Sequence, residues 1–199
     1  MDKAIRSGET LPLGCGNILF YGPPGTGKTA LARFIAESFH EMERSGAVLV
    51  IDEADSFLYS RDIAHQSWEV TLVNEFLTSL DESQGFCICT TNRIEHLDNP
   101  ALRRFSYRLQ FLYANRVQVE SLYNTILDPL CKDIISDRLR NRLASMLYLT
   151  PGDFHVVRTR YSPLFTKPEK VTHDLLVQAL LQKMELKLDS TKYSLQNID

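Results

Sequence analysis

Eight residues, Gly22–Thr29, constrain the fold of this chain more than any other segment. They match the pattern G-x-x-x-x-G-K-[ST], directly after the apolar run Ile18–Tyr21 and directly before an amphipathic helical stretch. In a strand–loop–helix unit, the loop N–H groups and the helix N-terminus converge on phosphate groups. The segment therefore predicts an α/β fold with a phosphate-binding loop made of Gly22, Pro23, Pro24, Gly25, Thr26, Gly27, Lys28, Thr29 and Ala30. The Lys28 ammonium is expected on the outer phosphates and the Thr29 hydroxyl on Mg²⁺.

The rest of the first half repeats the alternation of strand and helix. Val48–Ile51 and Phe86–Cys89 are continuous apolar runs, typical of strands buried on both faces of a parallel sheet. We expect an α/β sandwich over residues 1–112. Beyond that point the strand-like runs give way to helical patterns punctuated by prolines, which predicts a small all-helical domain at 113–188 and a loose tail at 189–199.

Composition excludes several classes of protein. The chain has 199 residues, 44% of them hydrophobic, and a net charge of -3, which is unlike a disordered chain. It has neither a membrane-spanning apolar run nor a signal-peptide pattern, so a cytoplasmic protein without a membrane partner is expected. Residues 1–112 carry a net charge of -5 and the remainder +2, so a nucleic-acid partner is not expected.

Two acids follow the second apolar run. Asp52 and Glu53 would lie at the carboxyl end of a strand, where α/β sheets bind ligands. There Asp52 can hold Mg²⁺, with Thr29, and Glu53 can act as general base on an attacking water. The alternative is that the pair only caps the next helix.

Taken together, these motifs resemble those of the AAA+ ATPases. The resemblance rests on the loop Gly22–Thr29 (Walker A), on the segment Asp52–Ser56 (Walker B), and on two further stretches, Thr90-Thr91-Asn92 and Asp98–Phe105. It implies ATP or ADP and Mg²⁺ as ligands. It also implies that Asn92 orients the attacking water. The sequence of residues 67–77 further resembles that of a bacterial subgroup of the family whose substrate is undefined.

The resemblance also implies an arginine that acts on a neighbouring subunit. By the resemblance, Arg103 or Arg104 would point into the neighbour's nucleotide site. The motif favours Arg104, because it precedes Phe105, and Arg108 is a weaker candidate. Such a cation stabilises charge that develops on the γ-phosphate. Read locally, the pair is only a basic helix end.

The helical half resembles the lid of the same family. Leu149–Phe154 corresponds to the start of the lid helix that closes over adenine and ribose, and Gly152 matches the branch with a small residue there. Other branches of the family have a nucleotide-sensing arginine in the lid, and Arg158 and Arg160 are candidates for it. The favoured interpretation is that both are ordinary surface arginines.

The chain is short in one place. Only 18 residues separate Thr29 from Val48, whereas the family has a further strand, helix and pore loop there. About 30 residues would be needed for such a unit. Three explanations for the shortness are possible: a disordered segment that is absent from this sequence near residues 39–42, a deliberate deletion, or natural loss. The first is favoured, because the sequence on both sides still matches the family.

Two functions remain open at this level. The first is a Mg²⁺-dependent ATPase that forms a ring, expected to be a hexamer, and remodels a protein partner that the sequence does not identify. The second is a nucleotide-gated scaffold or pseudo-ATPase that binds ATP with little turnover. A DNA replication initiator or loader is disfavoured because no helix-turn-helix pattern is appended.

Overall fold

A computed structural model describes residues 16–41, 48–56, 67–82, 85–162 and 171–196 of the chain. By their internal contacts the residues form two compact units. The first contains the described residues up to Gly22 and those between Lys28 and Phe111. The second contains the short loop Pro23–Gly27 and the described residues from Leu112 onward.

Among the described residues, the first unit has the strands and main helices β1 (Asn17–Tyr21), α1 (Lys28–Glu41), β2 (Val48–Ile51), α2 (Ser67–Glu82), β3 (Phe86–Thr91), α3 (Asn99–Leu102) and β4 (Phe105–Gln110). The four strands form a parallel sheet with the order β2-β3-β1-β4. The connections that follow β1 and β2 along the chain contain helices, as parallel pairing requires. Short 3₁₀ turns lie at Ala54–Ser56 and Ile94–His96.

Alternation along β1 and β3 separates two apolar layers. Leu19, Cys87 and Cys89 point to one face and pack with the apolar side of α2. Phe20 and Ile88 point to the other and pack with α1. Both central strands are therefore buried on two faces, as their continuous apolar runs predicted. The result is the expected α/β sandwich with a parallel sheet.

Among the described strands, β2 pairs with β3 alone and so ends the sheet. Leu49 in its middle is 55% exposed, so the prediction that this run is buried on both faces was wrong for the described residues. The strand-helix unit expected to be missing near residues 39–42 stays a prediction. Part of the predicted seam, at Met42, lies outside the described residues.

The second unit is helical throughout its described residues. Its α-helices are α4 (Arg116–Leu122), which continues as a π-helical turn over Tyr123–Leu127, α5 (Asp137–Ala144), α6 (Pro151–Arg160) and α7 (His173–Gln196). A 3₁₀ turn spans Asp128–Leu130. These helices enclose one core, whose largest fully buried side chains include those of Tyr123, Phe154, Leu149, Leu176 and Leu180.

Local sequence signals explain where these helices begin. Asn115 caps α4 through a reciprocal capping box with Gln118. Thr150 does the same for α6 with Asp153, and Pro151 occupies the first helical position. No described helix is long and apolar enough to cross a membrane.

Candidate functional site

The first residue of α1 places an ammonium group at the carboxyl end of the sheet. Lys28 is 5% exposed, and its Nζ donates to the carbonyl of Gly22 at 2.8 Å and to Oδ1 of Asn92 at 2.8 Å. Burial lowers the pKa of Lys28, while the charges of Asp52 and Asp55 oppose that shift. Asn92 follows β3 directly, so two of the predicted site residues meet although 64 positions separate them.

The two predicted Mg²⁺ ligands also meet. Thr29 Oγ1 donates to Oδ1 of Asp52 at 2.9 Å, and Thr90 donates to the same oxygen. Burial by itself raises the pKa of Asp52, but the hydrogen bonds from Thr90, Thr29 and the Glu53 N–H, with the charge of Arg33, lower it overall. The carboxylate is therefore kept ionised beside a hydroxyl, and hard oxygen donors of this kind suit Mg²⁺.

Glu53 has an unusual backbone conformation. Its φ of 53° lies in the left-handed region, which costs about 1–3 kcal/mol for a residue other than glycine. Its N–H faces Asp52 Oδ1 at 3.2 Å and Thr90 Oγ1 at 3.4 Å, and its carbonyl accepts from Ser56 N–H at 2.9 Å. These contacts hold the turn after β2, and Glu53 is exposed at the carboxyl end of that strand. A carboxylate in that position can accept a proton from water.

The first glycine of the loop is required by both space and conformation. Gly22 has a φ of 137°, and a Cβ there would lie 2.1 Å from the carbonyl oxygen of Phe111. The Phe111 N–H donates to Tyr21 O at 2.7 Å, which holds that backbone in place. A side chain at position 22 would therefore strain the end of the sheet.

The remainder of the loop contacts the start of α6 within the helical unit. Gly152 N–H donates to the Gly25 carbonyl at 2.9 Å, and a Cβ on Gly152 would lie 3.0 Å from Gly25 Cα. Thr26 Oγ1 closes the loop on itself by donating to Pro23 O at 2.8 Å. The small residue predicted at position 152 therefore permits a backbone-to-backbone approach to the phosphate loop. Of the other predicted loop residues, Pro24 and Ala30 are exposed.

The adjacent arginines differ in their surroundings. Arg104 Nε lies 2.9 Å from Asp81 Oδ2 on α2, and its Nη1 donates to the Pro100 carbonyl at 2.7 Å. Arg103 follows α3 directly and is exposed. Arg108 is exposed on β4. The structure thus engages Arg104, the arginine favoured by the motif, within its own subunit.

Three contributions were missed at the sequence level. The Thr90 hydroxyl donates to the Asp52 carboxylate, and Thr91 Oγ1 donates to Asp55 at 2.6 Å, so both hydroxyls of β3 fix acids that follow β2. Residues that end neighbouring parallel strands could have been paired in advance. In the helical unit, Lys187 Nζ contacts Asp153 Oδ2, which also accepts from Thr150 N–H and Oγ1 at 2.8 Å each. Nothing in the local sequence pairs Lys187 with Asp153, because 34 positions separate them.

Comparison with known families agrees with this geometry. The family model of the ATPase family associated with various cellular activities (AAA) matches residues 18–47 and 37–113. Over residues 18–113 the chain is similar to the AAA family. The matched ranges contain the loop, the Asp52-Glu53 pair, Asn92 and the two arginines.

Solved structures show the same fold at low sequence identity. A chain of the HORMA:CdnC:Trip13 complex from Escherichia coli MS115-1 is 18% identical, with a TM-score of 0.68 over 84% of this chain and 74% of that one. The FIGL-1 AAA domain in complex with ADP is 19% identical, with a TM-score of 0.57 over 89% and 76%. The FIGL-1 AAA domain from a further crystal structure is 21% identical, with a TM-score of 0.57 over 92% and 75%.

Proposed function

We propose that this chain is an AAA protein that binds ATP with Mg²⁺ and hydrolyses it. The observation that carries the proposal is the convergence of Thr29 and Asp52, whose oxygens lie 2.9 Å apart, beside the Lys28–Asn92 pair. A divalent cation on the two oxygens and an ammonium on the outer phosphates supply the charge stabilisation that phosphoryl transfer needs. ADP in the FIGL-1 neighbour supports a nucleotide of this class.

Each of these residues has a distinct role in the proposed reaction. Lys28 would exchange its bond to the Gly22 carbonyl for phosphate oxygens, and Asn92 would position the water. Glu53 would take the water's proton as the water oxygen attacks the γ-phosphorus, and the bond from the γ-phosphorus to the β,γ-bridging oxygen would break, releasing ADP. Mg²⁺, when bound, would neutralise charge on the phosphate oxygens.

The variant Glu53→Gln tests hydrolysis separately from binding. It removes the base and keeps the side-chain shape, so ATP affinity measured by calorimetry should stay within about threefold while turnover falls at least about a hundredfold. Glu75→Gln, at an exposed glutamate on α2, is the matched control and should turn over normally. Equal turnover in Glu53→Gln and the wild type would remove Glu53 as the base. A wild type that binds ATP without turnover, even when assembled, would favour the nucleotide-gated scaffold.

We further propose that the active form is a ring, of six subunits, in which Arg103 acts on the neighbouring site. Arg103 is exposed at the end of α3, whereas Arg104 is held by Asp81 and the Pro100 carbonyl. This differs from the motif-based preference for Arg104. The γ-phosphate charge would be stabilised by a residue that its own subunit leaves at the surface.

A mixing experiment separates action on a neighbour from action within one subunit. Arg103→Ala and Glu53→Gln should each be inactive alone, yet recover part of the activity when co-assembled, because the Arg103→Ala sites then receive an intact arginine. No recovery on mixing, with ring formation verified by sedimentation, would contradict action on a neighbouring site. Arg104→Ala is the comparison variant, and it should lower the thermal midpoint because it breaks the contact with Asp81.

The proposed work of the ring is the remodelling of a protein partner. Support comes from the solved neighbour that was found in a complex with HORMA and CdnC. Glu53→Gln with ATP is the form on which such a partner should stay bound. Retention with ATP and release with ADP would support the proposal, and equal retention with both nucleotides would contradict it.

A further inference from the structure

The helical unit contains a second group of potential metal ligands, on residues the ATPase proposal does not use. One ligand atom each from Cys131, Asp133 and His173 lies within 4.8 Å of the other two. Cys131 and Asp133 follow the 3₁₀ turn Asp128–Leu130, and His173 begins α7. The three ligands therefore come from two segments of chain that are 40 positions apart.

Both ring nitrogens of the histidine have hydrogen-bond partners. His173 is 3% exposed, and its Nδ1 accepts from the buried hydroxyl of Tyr123 at 2.8 Å. A carbonyl oxygen can only accept, so Nε2–H donates to the Asp133 backbone oxygen at 2.9 Å, and the Asp133 carboxylate lies 3.8 Å from Nε2. A partner on the distal ring nitrogen fixes the plane and tautomer of a metal-binding histidine.

The spacing is close to that of a tetrahedral site. Metal–ligand bonds of 2.0–2.3 Å place the ligand atoms of a tetrahedral zinc ion about 3.3–3.8 Å apart. The separation of Nε2 from the Asp133 carboxylate already lies in that range, and the remaining pairs need to close by about 1 Å at most. Asp133 is exposed and Cys131 half-buried, so both side chains can make this adjustment and water can reach the fourth position.

The local charge also favours a cation. Burial, together with the nearby carboxylates of Asp133 and Asp128, raises the pKa of Cys131 to about 11. The thiol thus lies in a negative field. A divalent ion would relieve this by pairing with the thiolate and carboxylate.

We propose that Cys131, Asp133 and His173 form a zinc site that joins the turn after Leu130 to the start of α7. Thiolate with imidazole selects zinc over Mg²⁺ or Ca²⁺. On binding, Cys131 loses its proton to solvent. The imidazole proton, which Nε2 donates to the Asp133 backbone oxygen in this structure, would move to Nδ1 and be donated to the Tyr123 hydroxyl, so that Nε2 can bind the metal in place of that oxygen. This site is independent of the proposed ATPase centre.

Cobalt(II) is the probe, because a thiolate–cobalt bond gives a charge-transfer absorption that oxygen ligands do not. The full metal-free chain, with excess Mg²⁺ present, should develop that band with one equivalent of cobalt and lose it when zinc is added. Zinc at about one hundred times its Kd should raise the thermal midpoint by roughly 5–10 °C. Absence of the band at one equivalent would overturn the proposal and leave His173 as a buried, hydrogen-bonded core residue.

Four variants assign the ligands. Cys131→Ser should abolish the band, and Asp133→Asn, at an exposed side chain, should weaken cobalt affinity at least about tenfold without altering the circular dichroism spectrum. Cys15→Ser and the exposed His155→Gln are the matched controls and should bind normally. A band that survives in Cys131→Ser, or one that is lost in Cys15→Ser, would assign the metal to other residues.

Discussion

Replacing the first glycine of the phosphate loop by alanine is the most demanding test of the structure. In Gly22→Ala the new Cβ would lie 2.1 Å from the Phe111 carbonyl oxygen and 3.0 Å from its carbon, and φ is 137°. Phe111 cannot retreat freely because its N–H donates to Tyr21 O at 2.7 Å at the end of the β1–β4 pairing. The substitution must therefore break that bond or distort the backbone.

The expected loss can be compared with that of another glycine in the same loop. Gly27 also has a positive φ, 95°, but a Cβ there meets no atom within 4 Å. Gly27→Ala should therefore lose only the conformational part, about 1–2 kcal/mol. For Gly22→Ala, overpacking and a lost backbone hydrogen bond add to this, giving a loss of about 3–6 kcal/mol.

Thermal unfolding without nucleotide, followed by circular dichroism, measures the difference. The two losses differ by about 2–4 kcal/mol, and a chain of this size loses about 2–4 °C per kcal/mol, so the Gly22→Ala midpoint should lie roughly 4–16 °C below that of Gly27→Ala. Equal midpoints for the two variants would refute the reasoning, since both share the positive φ and only Gly22 has the contact with Phe111.

Three further predictions concern contacts and surroundings that only the structure revealed. Thr90→Val should raise the Mg²⁺ concentration needed for half-maximal ATPase activity about tenfold, because a hydrogen bond to the charged Asp52 is lost, whereas Thr91→Val should change that concentration far less. Asp153→Asn should lower the thermal midpoint by roughly 4–8 °C, because weakening the contact with Lys187 removes about 2 kcal/mol of the free energy of unfolding. Asp174→Asn, at an exposed residue, is the control, and a midpoint for Asp153→Asn no lower than that of the control would contradict this. In the Cys15→Ser variant, with a chelator present, the rate at which Cys131 reacts with iodoacetamide should reach half its maximum near pH 11. The raised pKa leaves about a hundredfold less thiolate at neutral pH than a pKa of 9.0 would. An ordinary alkylation rate at pH 8 would contradict this prediction.

The sequence determined those features that depend on neighbouring residues in the chain. Continuous apolar runs identified the buried strands β1 and β3, because a strand covered on both faces has no polar side. The loop motif and the acids after β2 could also be identified from the sequence, because each consists of residues that are neighbours in the chain. Strand, turn and helix follow one another locally, and the carboxyl end of a parallel strand is a predictable place for ligands.

Tertiary structure decided the partners of those residues. The Thr90 hydroxyl reaches Asp52 only because β3 lies beside β2, and the sequence names no strand order. Likewise, Arg103 and Arg104 are adjacent and chemically equal in the sequence, yet Asp81 on another helix engages one and leaves its neighbour exposed. Contacts between distant positions arise from packing as a whole, so the local pattern could predict the chemistry of the site but not which side chains hold it in place.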